Sequence, residues 1–281
     1  MAATTPKAPG AKPDLATIGG LLLAAAGIVG GLLLEGGELR DISQVTALLI
    51  VLGGTFGAVM VNFPLSVIVG GFKQLGNVFM DRSPTPDALI EQIVQLAGKA
   101  RKQGIVSLET EAEALSDPFL RKALNLAVDG TDLQELRRMM ELEMALDEHN
   151  IEQEAKVWES AGGYSPTIGI IGAVMGLIQV MKNLADIDAV GHGIAVAFVA
   201  TVYGVAFANL LFLPAGNKIK ARGHRTLQMK ELMLEGVIGI VEGLNPKLIK
   251  SKLDAYAHRE KPATRAAGKT GRVAAQPAAG N

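Results

Sequence analysis

Hydrophobic and polar positions along this chain fall into long blocks rather than a fine alternation. Residues 15–34 carry no charged side chain. That is about 20 residues, the length that crosses the hydrocarbon core of a bilayer. Acids follow at Glu35, Glu38 and Asp41, with Arg40 among them. A second apolar block begins at Val45, is interrupted by Asn62 and Pro64, and resumes to Phe72. It predicts a second span with a cytoplasmic extension, over 45–72. Residues 164–181 and 193–214 predict a third and a fourth span, with Lys182, Asp186, Asp188 and His192 in the polar connection between them. The fold class is an all-α membrane protein: four transmembrane helices with a helical cytoplasmic insert between the second and third.

The insert, 73–160, holds most of the acids and many of the basic residues. Leu89, Ile93, Leu96 and Ala100 have helical spacing and predict a helix over 88–101, interrupted at Gly104. A second helix is predicted over 109–116, a third starts at Asp117-Pro118, and a long one runs over 133–159 after the Asp-Gly turn at 129–130. No strand pattern is present. After the fourth span come Lys218, Lys220, Arg222, Arg225 and Lys230. An amphipathic helix is predicted over 215–258, with Pro246 inside it. The tail, 259–281, is rich in Ala, Gly, Pro, Lys and Arg, a composition that does not build a packed core.

Flanking basic residues orient the spans. Lys7 and Lys12, in the N-terminal tail 1–14, precede the first span, and the basic cluster follows the fourth. Both short loops are mostly acidic. Both termini and the insert are therefore expected on the cytoplasmic side. The first block is longer than a signal-peptide core and more spans follow, so it reads as an uncleaved span.

Composition narrows the chemistry. Hydrophobic residues make up 49% but aromatics only 4%, so the apolar content is aliphatic and small. There are no cysteines, which excludes disulfides, thiolate metal sites and a cysteine nucleophile. The four histidines lie far apart, without metal-ligand spacing. No cofactor or metal is expected, and no polar constellation of an enzyme is visible. None of the spans has Asp, Glu, Lys or Arg in its middle. Ion paths usually place an ionisable group there, so any carboxylate on such a path must come from another chain.

Small-residue pairs mark every span: Gly27/Gly31, Gly53/Gly57, Gly172/Gly176, and the ridge Ala200, Gly204, Ala208. Each reads as packing within the chain or as a seam for other chains; their presence in all four favours close assembly. Pro166 stands at the start of the third span and Pro214 at the end of the fourth, as helix punctuation or as hinges. Thr201, deep in the fourth span, either bonds back to its own helix or lines a pore. Trp158 and Tyr164 read as interfacial anchors.

Four stretches carry a family resemblance. Residues 53–58 read Gly-Gly-Thr-Phe-Gly-Ala. Residues 100–109 read Ala-Arg-Lys-Gln-Gly-Ile-Val-Ser-Leu-Glu. Residues 164–178 read Tyr-Ser-Pro-Thr-Ile-Gly-Ile-Ile-Gly-Ala-Val-Met-Gly-Leu-Ile. Residues 200–214 read Ala-Thr-Val-Tyr-Gly-Val-Ala-Phe-Ala-Asn-Leu-Leu-Phe-Leu-Pro. With these the chain resembles the MotA/PomA family, the A subunit of the bacterial flagellar motor stator, related to ExbB and TolQ.

The resemblance implies a homo-oligomer, a pentamer, around a dimer of a single-span MotB-type subunit that supplies the ion-binding Asp. It implies the bacterial inner membrane and contact with a FliG-type rotor switch protein; nucleic acid is not a partner. Arg101 and Glu109 match the family's rotor-contact residues, and Pro166 and Pro214 match its two coupling prolines. Thr201 matches an ion-path Thr. Ala173 stands where sodium-type members tend to have Thr, and a methyl cannot replace a water ligand of sodium. The coupling ion is therefore expected to be H+ rather than Na+. The alternatives are an ExbB/TolQ-like energiser of outer-membrane processes, which the span count and the 101–109 stretch disfavour, and a non-conducting scaffold. A permease would more often show broken helices and repeats.

Overall fold

A computed structural model of the chain describes residues 12–81 and 85–259. The expected tails, up to residue 11 and beyond 259, lie outside the described residues. The helices are α1 (Leu15–Leu34), α2 (Val45–Asn62), α3 (Leu65–Phe79), α4 (Pro86–Gln103), α5 (Glu109–Ala114), α6 (Pro118–Val128), α7 (Leu133–Lys182), α8 (Ile187–Ala206), α9 (Leu213–Val241) and α10 (Pro246–Arg259). A 3-10 turn, Ile105–Leu108, precedes α5, and a π-helical turn, Phe207–Phe212, joins α8 to α9. The one extended pairing among the described residues is antiparallel and two residues long, β1 (Lys12–Pro13) with β2 (Met80–Asp81). Four helical stretches are long and apolar enough to cross a membrane: α1, α2, α7, and the continuous path from Ile187 to Val241.

The chain divides into two compact units, 1–83 with 138–227, and 84–137 with 228–281. The second unit thus combines part of the expected insert with residues C-terminal to the spans.

In the first unit the core is the α7–α8 contact. A Cβ on Gly169 would lie 2.9 Å from the Ala200 carbonyl oxygen and 3.2 Å from Gly204 Cα. On Gly176 it would lie 2.7 Å from the Gly193 oxygen, and on Gly204, 2.7 Å from the Ser165 oxygen. The backbones touch because these positions have no side chain. Helices in lipid associate through such close van der Waals packing, since lipid tails offer as good an apolar environment as another helix. Helix α2 presents Ala47, Val51, Thr55 and Val59, four residues apart, as its buried stripe. Ala47 and Val51 pack with Val199 and Ala200 of α8. Phe63, extended before Pro64, ends α2, because Pro disfavours a helical residue before it.

An aromatic cluster closes the other end of this unit. Phe56, Phe72, Trp158 and Phe212 are in contact, with ring centroids 4.9 Å apart for Phe72–Trp158 and 5.8 Å for Phe56–Phe212. The Trp158 indole N–H donates to the Gly71 carbonyl at 2.9 Å. Trp158 is therefore a buried core residue, not the interfacial anchor its position before the third span implied. The cluster can hold it because α7 continues through Tyr164 without a break.

Helix α1 behaves differently. It has no buried residue, and Cβ atoms on Gly27 or Gly31 would meet nothing within 4 Å. It is fastened at its start. Asp14 caps it, accepting from the Ala16 and Thr17 amides at 3.1 and 3.2 Å. Its other carboxylate oxygen accepts from Lys218 and, at 3.1 Å, from Arg222. The Lys218 hydrogen bond holds this carboxyl well below the usual carboxylate range against the opposing effect of burial.

The second unit is a small helical domain. Leu89, Ile90, Ile93 and Leu96 of α4 are buried, as are Phe119, Leu120 and Leu124 of α6. Leu232, Val237 and Ile238 of α9, with Ile249 and Leu253 of α10, belong to the same core. Asp117 caps α6, accepting from the Phe119 and Leu120 amides at 2.9 and 3.0 Å. Glu235 lies between Arg137, 3.1 Å away, and Lys252, 2.5 Å away. Burial raises its pKa, but the two cations lower it further, leaving it below the ordinary value. The expected single C-terminal helix is broken. Gly243, at φ +70°, ends α9, and Pro246 begins α10 instead of lying inside a helix. Proline fits a first helical turn, where its missing N–H costs nothing.

The seam predicts a contrast between glycines. Gly204→Val forces a side chain against the Ser165 backbone and should destabilise the first unit by about 1–3 kcal/mol. Gly27→Ala, facing open space, should be neutral. Thermal unfolding in one detergent would check both.

Candidate ion-path and rotor-contact sites

The spans were expected to place Thr201 and Ala173 on an ion path. Thr201 lies on α8, exposed at the surface of the single subunit, and its hydroxyl donates to the Ala197 carbonyl at 3.2 Å. Back-bonding to its own helix is thus its arrangement here. A Cβ on Gly172 would lie 2.8 Å from the Ala200 Cβ, and one on Gly169 would lie 3.5 Å from the Thr201 Cα, so the antiparallel seam sets Thr201 opposite Gly169, with Ala173 about one turn further along α7. No acid, lysine or arginine lies within α1, α2, or residues 164–181 of α7. No cluster of three or more His, Asp or Glu that could hold a metal occurs among the described residues.

The two prolines converge on one joint, and neither ends a helix. Pro166 is inside α7, and Pro214 is the second residue of α9, in a helical path unbroken from α8. The expected punctuation at 164–166 and at 214 is therefore replaced by continuous helix. Continuity at Pro214 has a visible cause. In the π turn the Leu213 N–H donates five residues back, to the Ala208 carbonyl. The wider turn gives room for a ring that would otherwise strike the carbonyl four residues earlier. Pro166 lacks the N–H that would bond the Gly162 carbonyl. Gly162 itself packs on Leu213, the neighbour of Pro214, with its Cβ position 2.6 Å from the Leu213 Cγ. Pro166 Cα is 3.3 Å from the Cβ position of Gly204. Two locally weakened helical turns thus lie against each other.

Three polar side chains in this unit escaped the sequence reading. The Tyr203 hydroxyl donates to the Ile42 carbonyl and accepts from the Gln44 amide at 3.3 Å, stitching the α1–α2 connection to α8 two residues beyond Thr201. The signal available was a tyrosine inside an otherwise apolar span. Thr55 and Ser165 are fully buried, and neither hydroxyl has a partner. Ser165 directly precedes Pro166, so a polar group sits at the proline joint.

Arg101 and Glu109 flank one tight turn in the second unit. Arg101 is in the last turn of α4 and Glu109 opens α5, placements that suit the negative and positive ends of those helices. Gly104, at φ +83°, allows the chain to reverse, and fully buried Leu108 fixes the turn to the core. Lys99 and Glu111, two residues before Arg101 and two after Glu109, form an ion pair. That hydrogen bond lowers the Glu111 pKa, against desolvation. Arg101 and Glu109 are both exposed and, among the described residues, neither side chain has an ion pair or hydrogen bond. Arg101 also borders a cleft of about 390 Å³ with Gly130, Thr131 and Gly243. The arrangement presents two opposite, unengaged charges on a rigid turn.

Fold and site together define a four-span membrane subunit with no acid in the middle of its spans and a charged helical unit. Comparison with known proteins narrows this further. Residues 111–232 match the MotA/TolQ/ExbB proton channel family, and residues 18–104 match the motility protein A N-terminal region. Motility protein A of Helicobacter pylori is 35% identical over 86% of this chain and 95% of its own length. Chemotaxis protein PomA of Vibrio alginolyticus is 34% identical over 89% and 98%. The solved structure of C. jejuni MotAB is similar with a TM-score of 0.83 at 33% identity, covering 89% of this chain and 98% of the other. The chain belongs to the MotA/TolQ/ExbB proton channel family.

Tyr203→Phe removes both bonds to the α1–α2 connection and leaves the Ile42 carbonyl and the Gln44 amide unpaired. It should cost about 1–3 kcal/mol and speed amide exchange at Gln44, read by hydrogen–deuterium exchange mass spectrometry.

Proposed function

We propose that this chain is the A subunit of a bacterial flagellar stator, coupling ion flow through the membrane to torque on the rotor. The observation that carries this reading is its likeness to MotAB along nearly its whole length, joined to spans that lack an acid in their middles. A shell without a carboxylate needs a partner that has one. A single-span MotB-type subunit, present as a dimer, fits that need. Several copies of this chain, five in the family pattern, surround it. The faces at Gly27, Gly31, Gly53 and Gly57 support assembly, since Cβ atoms there would meet nothing within 4 Å of this subunit. The complex works in the bacterial inner membrane with both termini of this chain cytoplasmic. The motility-type match over residues 18–104 favours a stator over an energiser of outer-membrane processes.

In this reading Thr201 and Ala173 face the ion path. A threonine hydroxyl can orient water beside the partner's carboxylate, and Ala173 offers no oxygen to strip and hold a sodium ion. The coupling ion is then the proton. Pro166 and Pro214 form the joint through which protonation at the pore moves the helices. Arg101 and Glu109, exposed and unpaired, engage complementary charges on a FliG-type rotor protein.

Two experiments test this. Arg101→Glu should reduce swimming torque at least several-fold while membrane insertion and co-purification with the partner subunit persist; lost assembly would assign Arg101 a structural role instead. Swimming speed at constant proton-motive force should be independent of external sodium, and Ala173→Thr should leave it no faster when sodium is added. Motility that stops without sodium would overturn proton coupling.

A further inference from the structure

We propose that the cleft between α1 and the π turn and start of α9 binds an acyl chain of an anionic phospholipid, with its phosphate held at Lys218 and Arg222. The cleft holds about 490 Å³ and is lined mainly by apolar side chains. One wall is the small-residue face of α1, Ala16, Gly20 and Ala24, spaced four residues apart. The facing wall includes Leu210 and Trp158, and Lys218 stands among the lining residues.

The chain does not fill this space itself. Helix α1 has no buried residue, and a Cβ on Gly20 would meet nothing within 4 Å. From the cap at Asp14 to Ala24 the helix rises about 15 Å, half of a hydrocarbon core of about 30 Å. The cleft therefore matches the acyl region of one leaflet. Its charged end is suited to a phosphate. Lys218 and Arg222 share the one carboxylate of Asp14, which leaves a net positive charge there, and α9 between Leu213 and Lys230 carries no acid of its own, although Lys220 pairs with Glu159 of α7 at 2.6 Å. Such a cluster at a membrane boundary attracts anionic headgroups. Thr17 lines the same cleft beside Asp14. Bound lipid would complete the packing of a helix that the subunit holds chiefly by one end.

Trp158 is the single tryptophan of the chain, so the site carries its own probe. The full-length protein is reconstituted in phosphatidylcholine vesicles containing a minor fraction of brominated phosphatidylglycerol or, separately, brominated phosphatidylcholine. Bromine quenches indole fluorescence on contact. The expected result is quenching by the anionic lipid at about fivefold lower mole fraction. Lys218→Gln with Arg222→Gln should abolish that preference. Gly20→Leu, which fills the cleft without altering charge, should reduce quenching by both lipids and decides the matter if the double variant misfolds. Equal quenching by the two lipids means ordinary surrounding lipid and overturns the proposal. Absence of quenching means the cleft is covered by protein, such as another copy, and overturns it too. Quenching unchanged by Gly20→Leu would place the lipid elsewhere.

Discussion

Contact between bare backbones organises the membrane unit. Gly169, Gly172 and Gly176 of α7 lie against Gly193, Ala197, Ala200 and Gly204 of α8, with Cβ positions 2.7 to 2.9 Å from the opposing atoms. Apolar burial gives little reason for two helices to meet inside a bilayer. Close approach supplies it through dispersion, and it also fixes the level of one helix along the other. Thr201 owes its place opposite Gly169 to this register. The meeting of Pro166 with the turn before Pro214 follows from it as well.

That proline joint illustrates how a continuous helix can carry a weak point. Pro166 removes one intrahelical bond, and the π turn widens the opposing path. Neither breaks the helix, because tertiary neighbours hold both sides: Gly204 against Pro166, and Gly162 against Leu213. The aromatic cluster reaches the same joint, since Phe212 of the π turn packs against Phe56 and Trp158. In the stator reading this is where ion binding would become movement. The periphery is looser. Helix α1 depends on the Asp14 clamp and on whatever lies outside the subunit, whether lipid or another copy. In the charged unit Leu108 anchors the turn whose Arg101 and Glu109 side chains have no partner among the described residues.

Local hydropathy sets the helices and their kind. Blocks of about 20 uncharged residues leave no other way to satisfy backbone hydrogen bonds in lipid, so the spans, the helical insert and the missing carboxylate were all legible. Tertiary structure decided what could not be read from local chemistry. Gly27/Gly31 and Gly172/Gly176 are equivalent patterns, yet the first faces open space and the second is the core seam, because only the fold assigns neighbours. The place of Trp158 before an apolar run points to the interface, but packing buries it in the core. Pro166 and Pro214 looked like helix ends because proline lacks an N–H. The helices continue because glycines and a wider turn on the facing segments absorb the defect. The tie of Asp14 to Lys218 and Arg222, about 200 residues away in sequence, leaves no local trace at all.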